Sequence, residues 1–216
     1  MKIINKILMG AILFSLVLAG YAYAEETKTL ENAPAAVEKT TLDNLQAAFN
    51  GESNARARYL AFAVKADAEG YGKAASLFRA AARAEQVHFE RHASIIKKMG
   101  AVPTAMIKTL VVKSTAENLQ AALEGETYEF TRMYPEFIAK AKLDKNEDAL
   151  DAFEDAGKAE AVHASLYKKA LENLKEWKGK NKDFYVCLFC GNVVERINFK
   201  ECPLCGRSKE QFIAVK

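Results

Sequence analysis

Apolar side chains recur along this chain at three-, four- and seven-residue steps. Leu42, Leu45, Phe49 and Tyr59 share one stripe, and Leu119, Leu123, Met133 and Phe137 share another. Leu77, Ala81 and Ile95 form a third, and Leu150, Phe153 and Tyr167 a fourth. That period marks one face of an α-helix, and the alanines between these positions favour the same state. Breakers separate the segments: EGYGK at 69–73, MGAVP at 99–103 and LDKN at 143–146. The pattern predicts four helices, near 41–69, 73–98, 115–142 and 146–176, with Thr41 and Ser114 or Thr115 as N-caps. Pro135 lies inside the third helix and should bend it. The joins within each pair are short, whereas the stretch 99–114 is long enough to cross a bundle.

Charged residues interrupt these stripes in a regular way. Glu52, Glu85, His88, Glu126, Glu160 and His163 all occupy stripe positions, where a carboxylate would be buried. AEQVH at 84–88 returns as AEAVH at 159–163, and residues 41–52 match residues 115–126 at eight of twelve positions. Two copies of so long a unit describe a duplicated helical hairpin; a solenoid needs three or more. An isolated buried carboxylate is very costly unless paired or neutralised, and the stripes carry almost no basic side chains. Metal ions remove the difficulty. Glu-x-x-His puts two ligands on one helical face, and two such pairs plus a Glu from each of the other helices build a dimetal carboxylate site inside a bundle. Glu129, three residues after Glu126, is an extra carboxylate where the first half has Ala55. Such asymmetry suits two metals that behave differently during turnover. His92 is read as a non-ligand, because Glu85 already pairs with His88. Tyr59 and Tyr134 follow Glu52 and Glu126 by seven and eight residues, within reach of the site carboxylates.

The carboxyl end is a separate unit. Cys187, Cys190, Cys202 and Cys205 form two C-x-x-C pairs eleven residues apart, each followed by Gly. Two such knuckles hold one metal between four thiolates, and the spacing alone does not separate iron from zinc. The lysine-rich NLKEWKGKNKDF before it reads as a linker. At the other end, Lys2 and Lys6 precede eighteen uncharged residues, Ile7 to Ala24, and then Glu25. AYA before Glu25 fits a signal-peptide cleavage site; an uncleaved membrane anchor is the alternative. The chain has 31 basic and 28 acidic residues. The basic ones are scattered without aromatic interleaving, which gives no nucleic-acid signal.

GESNARARY, AEQVHFERH, GETYEFTRMYP, AEAVH and the terminal CLFCG and CPLCG, in this order, make the chain from about residue 40 onward resemble the rubrerythrins. The resemblance implies a mainly α protein: a ferritin-like four-helix bundle at 41–176, a linker at 177–183, and a small rubredoxin-like β/loop domain at 184–216. A signal peptide at 1–24 and a lead-in at 25–40 would precede them. It implies a non-haem di-iron peroxidase that reduces hydrogen peroxide to water, linked to NAD(P)H or rubredoxin through an electron donor protein the sequence does not name. Glu52, Glu85, Glu126, Glu129, Glu160 and His163 match the di-iron ligands of that family. The residue matching His88 exchanges with the one matching Glu129 when one iron moves on reduction. Tyr59 and Tyr134 match tyrosines that bond the ligands. Cys187, Cys190, Cys202 and Cys205 match the ligands of a third iron, with zinc possible. The resemblance also implies a homodimer arranged head to tail, electrons crossing from a neighbouring subunit. A ferroxidase or iron-handling protein is the alternative, and it leaves the cysteine domain without a role. Mass spectrometry of the protein from its native host is expected to find a periplasmic chain beginning at Glu25. An intact Met1 in the membrane fraction would show an anchor instead.

Overall fold

The computed structural model describes residues 39–216, so the expected leader and nearly all of the lead-in lie outside the described residues. Five α-helices follow one another: α1 (Thr41–Ala68), α2 (Gly72–Lys98), α3 (Thr115–Tyr128), α4 (Tyr134–Leu143) and α5 (Glu147–Glu172). α1 and α2 form one hairpin. α3 and α4 together act as a single long helix and form the second hairpin with α5. The two hairpins make a ferritin-like four-helix bundle.

The repeat is visible in how the helices begin. Thr40 and Ser114 are the N-caps, each in a capping box with the acid three residues on, Asp43 and Glu117. Thr41, expected as the cap, sits one residue inside and has another task. Its N–H and hydroxyl donate to Asp144 at 3.1 and 2.8 Å. Its counterpart Thr115 donates twice to Glu69, at 2.8 and 2.6 Å. Glu69 and Asp144 are the C-cap residues of α1 and α4, so each hairpin's first helix is tied at its start to the end of the other's. The Thr115 hydroxyl and N–H hold the Glu69 carboxyl down at about 2.

The crossover between hairpins is extended, and its backbone polar groups still need partners. α1 supplies them from amides one turn apart. Gln46 bonds Val102 and Thr104, Asn50 accepts from the Met106 N–H, and Asn54 bonds Met106 and Lys108.

The third helix departs from expectation. Between α3 and α4 the backbone takes a π-helical turn, Glu129–Met133. The repeat explains it. Glu52 and Glu126 are 74 positions apart, whereas Tyr59 and Tyr134 are 75 apart. One extra residue in the second half is absorbed as a π-bulge, a form that recurs at functional sites. Pro135 does not bend a continuous helix; it stands in the first turn of α4, where a missing N–H costs little.

Two apolar clusters fill the bundle. One contains Tyr59, Phe62, Phe78, Leu119 and Tyr167, and the other Leu45, Ile96, Tyr134, Phe137 and Phe153. Along every helix the stripe carboxylates fall between these clusters. The carboxyl-terminal unit is a small antiparallel sheet, β1 (Phe184–Cys187), β2 (Val193–Val194) and β3 (Phe212–Val215), with β1 in the centre. It is not loosely tethered. Trp177 and Phe184 belong to the same apolar cluster as Phe62 and Phe78. The segment read as a linker is bound to the α1–α2 turn: the Gly72 N–H donates to Gly179 O at 3.1 Å, and the Lys182 N–H to Ser76 Oγ at 3.2 Å.

Candidate metal centres

Between the apolar clusters the four helices bring seven ionisable side chains together. Glu52, Glu85, His88 and Glu160 form one group, and Glu85, Glu126, Glu160 and His163 another, with the ligand atoms of each group within 4.8 Å of one another. Glu85 and Glu160 belong to both groups, so the two groups share an edge. His88 Nδ1 lies 2.8 Å from Glu160 Oε1 and 3.2 Å from Glu85 Oε2; His163 Nδ1 lies 2.7 Å from Glu160 Oε2. Glu129 is buried but stands outside both groups. His92 is buried and outside them too. The tyrosines cross between the halves. Tyr59 donates to Glu126 Oε1 at 2.7 Å, and Tyr134 donates to Glu52 Oε1.

This arrangement fits a pair of cations. Glu52 Oε2, Glu85 Oε1 and Glu126 Oε2 are buried without a hydrogen-bond partner, and the Glu160 oxygens and His163 Nδ1 meet only ionisable groups of the cage itself. A buried orphan of this kind costs about 1–3 kcal/mol, more when charged. Here the orphans face one another across ligand-to-ligand distances, and oxygen with imidazole is a donor set that iron accepts.

Without cations, protons must hold the cage together. Burial, reinforced by the Glu160 carboxylate, pushes Glu52 up to about 7. Burial likewise drives Glu85 and Glu129 well above the usual carboxylate range, with other cage carboxylates adding to it. Glu160 goes the other way: burial opposes its charge, but the His88 and His163 imidazoliums outweigh it. For His88, burial works against the charge and Glu160 overcomes it, lifting the ring to about 9.

The four cysteines converge in the tail as free thiols. Cys187 Sγ lies 3.9 Å from Cys205 Sγ, and Cys190 Sγ 3.7 Å from Cys202 Sγ. Metal–sulfur bonds of about 2.3 Å give a tetrahedron with edges of about 3.8 Å, so the thiols are already spaced for one ion. The Gly191 N–H donates to Cys187 O and the Gly206 N–H to Cys202 O, both from positive φ, 76° and 70°. That turn explains the Gly after each pair.

The two centres touch. The outer ring nitrogens of His88 and His163 reach the tail backbone: Nε2 of His88 is 3.0 Å from Cys190 O, and Nε2 of His163 is 3.1 Å from Gly191 O. A Cβ on Gly191 would collide with His88 Nε2. Arg91 of α2 and Arg207 of the tail both lie over the Phe189 ring, at 4.7 and 4.2 Å from its centroid. The tail sits on the bundle of its own chain. The sequence held no sign of this docking. Gly191 reads there as a turn glycine like Gly206, and its approach to His88 is a second constraint hidden behind the first.

The rubrerythrin family model matches residues 43–171. The chain belongs to the rubrerythrin family. It is 34% identical over 181 residues to rubrerythrin-2 of Clostridium acetobutylicum, covering 81% of this chain and 96% of that one. It is 36% identical over 178 residues to nigerythrin of Nitratidesulfovibrio vulgaris, covering 81% and 86%. The solved structure of fully reduced, all-ferrous nigerythrin superposes with a TM-score of 0.76 at 34% identity, over 86% of this chain and 95% of that one. As a rubrerythrin this chain is a di-iron oxidative-stress protein. Its bundle carries the carboxylate and histidine di-iron site, and its four-cysteine cluster is the rubredoxin-like iron site.

Two outcomes follow from this geometry. The folded apo-protein binds protons that the unfolded chain has already lost: Glu52 between about 4.5 and about 7, and His88 between about 6.5 and about 9. Stability therefore falls as pH rises across that window. Metal displaces those protons and reverses the slope. Thermal melts of apo- and iron-loaded protein from pH 5 to 9 measure this; an apo curve flat across the range would contradict it. Second, Gly191→Ala and Gly206→Ala meet the same positive-φ strain, about 1–2 kcal/mol, but only Gly191→Ala strikes the bundle. It should slow re-reduction of the bundle irons while Gly206→Ala leaves that rate near wild type, read by stopped-flow absorbance. Equal rates in the two variants would contradict the docking.

Proposed function

We propose that this rubrerythrin is a peroxidase that reduces hydrogen peroxide to water with electrons entering at the cysteine centre. One observation carries the reading. His88 and His163 each direct Nδ1 into the carboxylate cage and Nε2 onto a carbonyl of the cysteine knuckle. A bonded path thus joins the two centres without crossing solvent. An iron-storing bundle would leave that path without a use.

Glu52, Glu85, Glu126, Glu129, Glu160, His88 and His163 would hold the two bundle irons, and the four cysteines the third. When bound, the iron pair supplies the two electrons that the peroxide O–O bond accepts. The chain's own groups do the rest. Reduction of peroxide to two waters consumes two protons. Buried Glu129 holds one when it is not a ligand, because burial and the neighbouring carboxylates keep it protonated. His88 lies inside one ligand group while Glu129 stands outside both, which supports reading them as alternative ligands. Tyr59 and Tyr134 fix Oε1 of Glu126 and Glu52, leaving each Oε2 free to face the cage. The apolar clusters on either side keep bulk water from competing for these groups.

The reading is tested with anaerobically reduced protein, peroxide and an external reductant. Reductant-dependent peroxide consumption is expected, with little oxygen released. Glu85→Ala with Glu160→Ala should lose both bundle irons. His88→Ala should slow oxidation of the reduced bundle by roughly 10–100-fold, the usual range for a displaced metal-site group. Cys202→Ser with Cys205→Ser should keep one turnover and abolish steady-state activity. Oxygen release without reductant would mean catalase chemistry, and undiminished steady-state activity in the double cysteine variant would refute the electron route.

A further inference from the structure

The third histidine has no part in either centre, yet it is among the most deeply buried polar groups in the bundle. His92 is fully buried on α2, one turn beyond His88, with its ring 5.4 Å from that of Phe153. Its Nε2 lies 3.2 Å from the hydroxyl oxygen of Tyr134, and its Nδ1 has no partner. Tyr134 in turn donates its hydroxyl proton to Glu52 Oε1. On its other side Tyr134 packs against Gly157, where an added Cβ would come within 3.1 Å of Tyr134 Cβ. Three side chains thus stand in line from the apolar cluster to the cage: His92, Tyr134, Glu52.

The hydrogen inventory fixes the direction of this line. A neutral imidazole has one N–H and one bare nitrogen, and a phenol has one proton. The Tyr134 proton is committed to Glu52, so its oxygen is left to accept. Only the tautomer with the proton on Nε2 makes the bond at 3.2 Å. The other tautomer would bury an unpaired N–H at Nδ1 and set two bare acceptors against each other. The ring is neutral, because burial, with the His88 and Arg91 charges, holds it down at about 3.

The duplication supplies an internal comparison. His92 and Tyr167 are 75 positions apart, the same offset that relates Glu85 to Glu160 and Tyr59 to Tyr134. Tyr167 therefore stands behind Tyr59 as His92 stands behind Tyr134. Its ring packs 5.5 Å from the Tyr59 ring, but its hydroxyl is buried without a partner. The Glu126 half of the cage has a tyrosine with no donor behind it, and the Glu52 half has one.

We infer that His92 is a positioning residue that, by donating from Nε2 to Tyr134, locks the Tyr134 hydroxyl onto Glu52 and makes the two metal positions of the cage unequal. The inference rests on Glu52 as a metal ligand, and it adds a difference between the halves beyond that made by Glu129. Outer groups that orient ligands are worth about 10- to 100-fold in metal affinity, so the Glu52 position should depend on His92 and the Glu126 position should not.

The test uses the full chain with its cysteine site filled beforehand with zinc. In histidine-selective 15N NMR of the all-zinc protein, the signals lost in His92→Phe identify His92 and should show protonation at Nε2. Cobalt(II) titration should then show one of two binding steps weakened about ten-fold in His92→Phe. His92→Gln, whose amide nitrogen can stand where Nε2 does, should bind within about three-fold of wild type, below the range expected for a lost orienting group. Protonation at Nδ1, two unchanged cobalt steps in His92→Phe, or a Gln variant as impaired as the Phe variant would overturn the inference. Should His92→Phe fail to fold, Tyr134→Phe serves in its place to assign the His92 signals. No peroxide enters these readouts, so failure of the peroxidase reading would not imitate failure of this one.

Discussion

Everything in this bundle is arranged around a layer of buried negative charge. Glu52, Glu85, Glu126, Glu129 and Glu160 are all at most 7% exposed and lie within one cross-section of the bundle. Taking an isolated carboxylate out of water is prohibitive, and crowding several together adds repulsion at short range and low dielectric. Two imidazoles cannot neutralise five such groups. The layer is tolerable only with protons or cations inside it, and its oxygen and imidazole donors suit metal cations before any chemistry is considered. It also explains the apolar clusters on either side. They supply the burial energy that offsets the cost of the polar layer, and they keep the layer dry.

The second constraint is connection. A redox centre sealed inside a bundle needs a path for electrons that does not admit water. In the proposed function the histidines meet this need by having two ring nitrogens with separate tasks. Nδ1 faces the cage, and Nε2 bonds a carbonyl of the cysteine knuckle. The tail is pressed onto that face by Trp177 and Phe184 in the shared apolar cluster, and by Lys169 and Lys182 converging on Glu195. Gly191 permits the close approach. Docking, ligand orientation and the proposed electron path are thus one set of contacts.

Much of the site was legible in the sequence because duplication exposes it. A carboxylate on an apolar stripe is ambiguous alone, but Glu85 with His88 and Glu160 with His163, in register with Glu52 and Glu126, fit no ordinary salt-bridged helix. The cysteine spacing was equally direct. What stayed hidden was of two kinds. Some of it was present and unread: the offset changes from 74 to 75 between Glu126 and Tyr134, which is the π-bulge, and Thr40 rather than Thr41 aligns with Ser114. The rest had no local signature. The docking of the tail, the binding of residues 177–183 to the α1–α2 turn, and the line from His92 to Glu52 are tertiary contacts between segments whose own patterns are satisfied without them.

In the proposed function the two centres form one electron-carrying unit, and the colour of the cysteine site reports that directly. Fully reduced, iron-loaded wild-type protein is mixed anaerobically with excess hydrogen peroxide, and the red ferric tetrathiolate absorbance is followed in time. The colour is expected to appear after bundle oxidation, at a rate that levels off with peroxide concentration, if the electron leaves the tail through the bundle. A tail that stays colourless, or a rate that climbs linearly with peroxide, would show that the two centres work apart.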